Sequence, residues 1–272
     1  MFSKTSLLFA LCALISLSAP THAGDTADAI NKIANGEHRS DKYKARNQFR
    51  NPGETLEFFG IRPDMTVVEL SPGGGGWYTE ILAPYLRESG TYYAGSYDPE
   101  STSEYSQRNM ARYAEKLAKH PELYDRAKVT TFAPPDKMEA APAGSADMVL
   151  TFRNMHSWMR RGTQEAMMQA AYSYLKPGGV LGVVAHRGDP DKPQDPKASK
   201  GYIQQDIIVQ LAESAGFVLE ASSEINANPK DTRDHPQGVW NLPPGFRDGD
   251  TDRAKYAAIG ESDRMTLRFR KP

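Results

Sequence analysis

The sequence predicts an α/β fold built on a mostly parallel sheet with helices packed on it. Three observations predict it. Apolar, strand-like runs alternate with helical patterns through most of the chain, the rhythm a parallel sheet requires. The first such run, Thr66-Val67-Val68-Glu69-Leu70, passes through Ser71-Pro72 into four consecutive glycines, Gly73 to Gly76. Glycine lacks a Cβ, so the turn can adopt positive φ and bring its backbone against a ligand. A second acid, Asp98, closes the second run about thirty residues beyond Glu69, the arrangement with which such domains open a nucleoside site.

The elements follow in order. Residues 24–62 read as an N-terminal helical cover, with Ile30, Ile33 and Ala34 at helical spacing and a basic stretch from His38 to Arg50 that reads as a solvated linker. Pro52 suits the first turn of a further helix, whose apolar face is Leu56, Phe58, Phe59 and Ile61. Residues 63–272 form the α/β domain, entered through the turn at Pro63-Asp64. Strands are expected at 66–70, 90–97, 128–132, 146–152, 180–185 and 218–222, with helices at 78–86, 101–119, 164–175 and 203–215. The run 264–269 alternates polar and apolar residues and supplies a seventh strand with one wetter face. Segment 226–263 breaks the rhythm. It is rich in Pro, Gly and Asp yet carries Trp240, Leu242, Phe246, Tyr256 and Ile259, the make-up of a lid-like insertion.

The N-terminus reads as a secretory signal peptide. Lys4 precedes an apolar stretch from Leu7 to Leu17, too short to span a bilayer, and Thr21-His22-Ala23 offers a small-x-small cleavage site, placing cleavage near Ala23. Leu11 is too bulky for lipoprotein processing at Cys12, the only cysteine. The mature chain of roughly 250 residues is therefore expected to be periplasmic or secreted, with no stable membrane anchor after signal cleavage and with neither disulfides nor thiolate metal sites. Asp189, Asp191 and Asp195 lack the spacing of a metal site, so no metal is expected. With 33 basic and 34 acidic residues, nothing points to nucleic acid, and a small-molecule substrate is the better expectation.

Ligands of an open parallel sheet bind beyond the carboxyl ends of its strands, where strand order reverses. The glycines follow the first strand, Asp98 the second, Arg153, Asn154, His156 and Trp158 the fourth, and His186 and Arg187 the fifth. A carboxylate ending the second strand accepts hydrogen bonds from both ribose hydroxyls; the plainer alternative is an Asp that caps the turn before Pro99. A phosphate-cradling loop needs Lys-Ser or Lys-Thr after its last glycine, and Trp77-Tyr78 stands there instead. A dinucleotide stays open as an alternative, although it wants a spaced G-x-G-x-x-G, which Ser71-Pro72 and Trp77 interrupt. S-adenosylmethionine carries no phosphate, and an acid-led strand with a glycine loop fits its amino-acid and ribose parts. The candidate cofactor residues are accordingly Glu69, Ser71, Gly73, Gly74, Gly75 and Asp98. His156 and His186 are the candidate bases for an acceptor that must lose a proton, or are packed imidazoles. Arg153 and Arg187 offer guanidinium forks to a carboxylate or phosphate, or order loops by pairing with Glu69 or Asp98. Asn154 either hydrogen-bonds an acceptor or terminates its strand.

Several segments together resemble the exported, predicted class I methyltransferases of bacteria. They are Arg50-Asn51-Pro52, Glu69-Leu70-Ser71-Pro72 with its glycines, Trp77 to Pro84, Thr151-Phe152-Arg153-Asn154-Met155-His156-Ser157-Trp158, Leu175 to Gly179, His186-Arg187, Trp240-Asn241-Leu242-Pro243-Pro244 and Ile259 to Leu267. The resemblance covers nearly the whole mature chain. It implies a seven-stranded Rossmann-like fold with the last strand antiparallel, S-adenosylmethionine as cofactor, and a cofactor role for Glu69, Gly73, Gly75 and Asp98. Ser71-Pro72 stands where the family's loop has its first glycine. The function implied is direct methyl transfer to a small or medium acceptor. The alternatives are an exported module that binds a nucleoside or metabolite without methyl transfer, and a different enzyme on the same scaffold.

Overall fold

The computed structural model describes residues 24–272; the expected signal peptide lies outside the described residues. Four helices come first, α1 (Asp25–Ala34), α2 (Asp41–Lys44), α3 (Asn47–Arg50) and α4 (Pro52–Phe59). The sheet then begins with β1 (Thr66–Leu70), α5 (Thr79–Leu86), β2 (Thr91–Ser96), α6 (Glu104–Lys119), α7 (Pro121–Tyr124), β3 (Lys128–Ala133) and β4 (Lys137–Met138). Its second half holds β5 (Ala146–Phe152), α8 (Met155–Arg161), α9 (Gln164–Tyr174), β6 (Leu175–His186), α10 (Gln205–Ser214), β7 (Val218–Ser223), a 3₁₀ turn at Gly238–Trp240, α11 (Arg253–Ile259) and β8 (Arg264–Arg270).

The sheet has eight strands in the order β4-β3-β2-β1-β5-β6-β8-β7, one more than the seven expected. The addition is β4, whose two residues pair antiparallel with the end of β3 and are too few to leave any periodicity in the sequence. The last strand is antiparallel, as expected. β8 inserts between β6 and β7 and runs against both. Strand order reverses between β1 and β5, which pair in parallel from Val67–Met148 to Leu70–Thr151.

The central strands are nearly continuously apolar because both faces are covered. One face packs Val68, Val149, Leu181 and Leu267 against Met155, Trp158, Met167 and Ile208 of α8, α9 and α10. The other packs Val67, Leu150 and Val184 against Ile30, Leu56, Ile81 and Tyr113 of α1, α4, α5 and α6. Among the described residues no helix is long and apolar enough to cross a membrane.

The basic stretch 38–50 differs from the expected solvated linker. Arg39 and Arg50 are each only 1% exposed. Arg39 Nε bonds Glu80 Oε2 at 3.1 Å, and the guanidinium groups of Arg39 and Arg50 lie 4.5 and 4.6 Å from the Trp77 ring. Trp77 is thus part of the core, and so is Tyr78, stacked on Phe152 at 3.5 Å. Segment 226–263 is tied down by polar contacts. Asn226 Nδ2 donates to Thr55 Oγ1 and Thr266 Oγ1, both at 2.9 Å. The buried Asp231 carboxylate accepts from Tyr202 Oη at 2.9 and 3.0 Å, from the amide of Asp263 at 2.8 Å, and lies 2.9 Å from His235 Nε2.

Candidate functional site

The reversal between β1 and β5 is built from two strained loop starts. Ser71, directly after β1, has φ 57°, and Arg153, directly after β5, has φ 62°. Side chains with a Cβ pay of order 1–3 kcal/mol for such left-handed backbone, and it recurs at functional sites. Neighbouring strands hold both residues in place: the Ser71 amide donates to Gly95 O at 2.9 Å and the Arg153 amide to Val184 O at 2.7 Å. Asn154 joins the two loops, its Nδ2 lying 2.9 Å from Leu70 O and 3.2 Å from Ser71 O. Its donor side is spent on the β1 turn, which makes Asn154 a positioning residue for Ser71.

The glycines meet different surroundings. A Cβ on Gly73 (φ +68°) would find nothing within 4 Å. One on Gly74 would sit 2.4 Å from Asn109 Oδ1, 2.8 Å from Asn109 Cα and 2.9 Å from Asn109 O. One on Gly75 would meet Tyr43 Oη at 2.7 Å, and one on Gly76 would meet Tyr113 at 2.8 Å. Gly74 and Gly76 are held small by α6 closing on the turn, Gly75 meets only the tip of the Tyr43 side chain, and Gly73 faces open space. Because the obstruction at Gly74 includes helix backbone, Gly74→Ala is expected to cost about 1–3 kcal/mol of stability, measurable as a lowered thermal midpoint.

Glu69 lies beneath the turn, not in it. It is 3% exposed, and its Oε2 accepts from Tyr92 Oη at 2.5 Å and from Thr79 Oγ1 at 3.3 Å. Burial pushes its carboxyl up to about 7, against the opposing hydrogen bonds from Tyr92 and Thr79.

Two cavities flank Ser71. The first, about 240 Å³, is lined by Ser71, Asp98, Tyr97, Phe132, Trp158 and Met167, among others. Asp98 presents its carboxylate here, with Oδ1 engaged by the Glu100 amide and by Lys137 Nζ, each at 3.0 Å. The amide bond and the lysine together hold its carboxyl below the usual range. The second cavity, about 400 Å³, brings together Ser71, Gly73, Arg153, His156, His186 and Trp240. The His156 and His186 rings lie 5.6 Å apart, and His156 meets the Trp240 ring edge-on at 5.7 Å. His186 Nδ1 is 2.5 Å from Ser262 Oγ.

Burial, with Arg160 and Arg153 nearby, lowers His156 to about 4. Burial, with His156 and Arg153 adding to it, takes His186 well below its ordinary value too. Both imidazoles are neutral at physiological pH. Burial alone would raise the Glu261 carboxyl, but Arg50, Arg264, Arg46 and Arg153 outweigh it and hold it well below the carboxylate range. Glu261 takes Arg46 Nε at 2.5 Å, Arg50 Nε at 3.1 Å and Arg264 Nη2 at 3.0 Å. Arg187 is excluded from this cavity by its pairing with Glu224 at 2.7 Å and Asp263 at 3.5 Å.

With that geometry in view, the chain is similar to several solved structures. A SAM-dependent methyltransferase from Aquifex aeolicus matches 90% of this chain and 98% of its own at 15% identity and TM-score 0.55. The class I methyltransferase fold is shared. The [4+2]-cyclase SpnF is similar too, at 15% identity and TM-score 0.52 over 91% of this chain and 92% of its own. A geranyl diphosphate C-methyltransferase from Streptomyces coelicolor A3(2), solved with S-adenosyl-L-homocysteine, matches at 12% identity and TM-score 0.51 over 89% and 84%. No protein-family model and no curated protein matches the sequence. A cyclase stands among these similar structures, and likeness of fold does not fix the chemistry.

The fold gathers Ser71, Gly73, Arg153, His156 and His186 at one cavity and leaves Glu69, Gly74 and Gly75 packed against protein. Sequence reasoning missed Arg46, Arg50, Glu261 and Arg264. The signal was present as Arg50-Asn51-Pro52 and Gly260-Glu261-Ser262-Asp263-Arg264, but nothing local shows that these segments meet.

Proposed function

We propose that this protein is an S-adenosylmethionine-dependent methyltransferase of the exported bacterial group, acting on a small or medium acceptor in the periplasm or outside the cell after signal cleavage near Ala23. The observation that carries the reading is the meeting of two cavities at Ser71, on the switch point of a methyltransferase fold. The donor set fits the cofactor. Asp98 Oδ2 has no partner among the described residues and is available to ribose hydroxyls, Phe132, Trp158 and Met167 offer an apolar wall to a base, and the open space at Gly73 leaves room for an amino-acid moiety.

When bound, the cofactor would supply an electrophilic sulfonium methyl for the acceptor's lone pair, with a neutral thioether as leaving group. The chain's own contribution is orientation and exclusion of water. Val239, Trp240, Leu242 and Pro244 wall the second cavity from the 226–263 segment, which we read as its lid. His156, neutral and lowered to about 4, is a weak proton acceptor, since bases work best near the working pH. Its role is a hydrogen bond that orients the acceptor.

Calorimetric titration of the mature protein with S-adenosylhomocysteine tests the reading. Binding is expected, and Asp98→Ala is expected to weaken it by about 1.5–3 kcal/mol. Absence of binding at millimolar ligand sinks the proposal; unchanged affinity in the variant removes Asp98 from the site.

A further inference from the structure

The second cavity has more positive charge than its own residues neutralise. Arg46 and Arg153 line it with one carboxylate, Glu261, and Arg50 and Arg264 bond that carboxylate without lining the cavity. Arg50 is 1% exposed, and its Nη1 and Nη2 have no hydrogen-bond partner among the described residues. The Arg153 guanidinium lines the cavity and donates no hydrogen bond to any described residue. Burial and the neighbouring arginines pull it to about 10, with Glu261 opposing, so it is a cation at neutral pH. Arg160 and Arg247, both exposed, hold guanidinium groups 5.1 and 4.7 Å from the Trp240 ring and are solvated. Buried or half-buried guanidinium groups of this number need anionic partners.

The cofactor adds no net negative charge. S-adenosylmethionine carries one carboxylate against an ammonium and a sulfonium, a net positive charge, so its arrival makes the cavity more positive. We propose that the cavity is an anion site and that the methyl acceptor bears a carboxylate or phosphate group, held by the fork of Arg153. Naming the ligand as the acceptor rests on the methyltransferase reading; the anion site itself does not. A planar fork suits either group bidentately, and His156 and His186 stand beside it in the same cavity.

The test is calorimetric titration of the mature protein, saturated with S-adenosylhomocysteine, using malonate and inorganic phosphate as probes and uncharged malonamide as the control. At least one anion is expected to bind and malonamide is not. Arg153→Gln is expected to weaken anion binding about tenfold or more while S-adenosylhomocysteine affinity stays within about twofold, which also reports that the variant is folded. Three results overturn the inference: neither anion binds the wild-type complex, malonamide binds as well as malonate, or Arg153→Gln leaves anion affinity unchanged. If Arg153→Gln instead abolishes S-adenosylhomocysteine binding and no anion binds the wild-type complex, the arginine holds the cofactor's own carboxylate and the inference falls. Anion binding to a protein that takes no S-adenosylhomocysteine upholds the anion site and refutes the methyltransferase reading alone.

Discussion

Glu261→Gln is expected to lower the unfolding free energy by about 3–5 kcal/mol, the range for removing one partner from a buried ion pair. The carboxylate serves Arg46, Arg50 and Arg264 at 2.5, 3.1 and 3.0 Å. Glutamine keeps the shape and one acceptor oxygen, so the loss is of charge rather than volume. The arginines then face one another without a counter-charge, and Arg50 at 1% exposure has no water to turn to. Urea unfolding at neutral pH measures the effect. Adding Arg50→Met to the variant should recover part of the loss, because replacing both partners of a buried pair by apolar groups is often near neutral. A single-variant change below about 1 kcal/mol would mean that the arginines are solvated and the cluster contributes little.

The second large effect is on pH dependence. Glu69 has its carboxyl raised to about 7 from an ordinary 4.5. Between those values the native chain keeps a proton that the unfolded chain has released, so its contribution is fully present below the unfolded value and is lost as pH rises toward and through the folded one. The loss reaches about 3 kcal/mol above neutrality. Glu69→Gln holds the neutral form at every pH. Its thermal stability should exceed that of the wild type at about pH 8 and converge with it near pH 5, where the wild-type carboxyl is protonated too. Parallel traces for the two proteins across that window would show that the native carboxyl is already ionised.

The sheet was legible because its central strands are short apolar runs bounded by turn residues, and the final alternating run located a strand whose antiparallel direction only the family resemblance implied. β4 was not, since two residues carry no period. Helix α8 was also missed: Met155 to Arg161 follows a strand without a break, and its polar residues read as a continuing loop. At the site, the glycine turn was legible as a turn but not as a packing surface. What Gly74, Gly75 and Gly76 touch is Asn109, Tyr43 and Tyr113, residues whose sequence positions say nothing of their approach. Asn154 could be named as a polar residue after a strand, whereas its bonds to the carbonyls of Leu70 and Ser71 depend on strand order. The arginine cluster was the least legible, because each charge is ordinary in its own segment and only the fold concentrates them.

That cluster also sets a timetable. Arg46 and Arg50 bond a carboxylate 215 and 211 residues later in the chain. A polypeptide that emerges with its N-terminus leading has the glycine turn and Asp98 long before Glu261 appears. The arginines wait without their carboxylate until the chain is almost complete, and contacts this distant in sequence form slowly. Clipping just before Glu261 would spare the Asp98 cavity's own residues while deleting β8 and the carboxylate that gathers Arg46, Arg50 and Arg264. Readiness for the acceptor thus arrives last, with the closing strand.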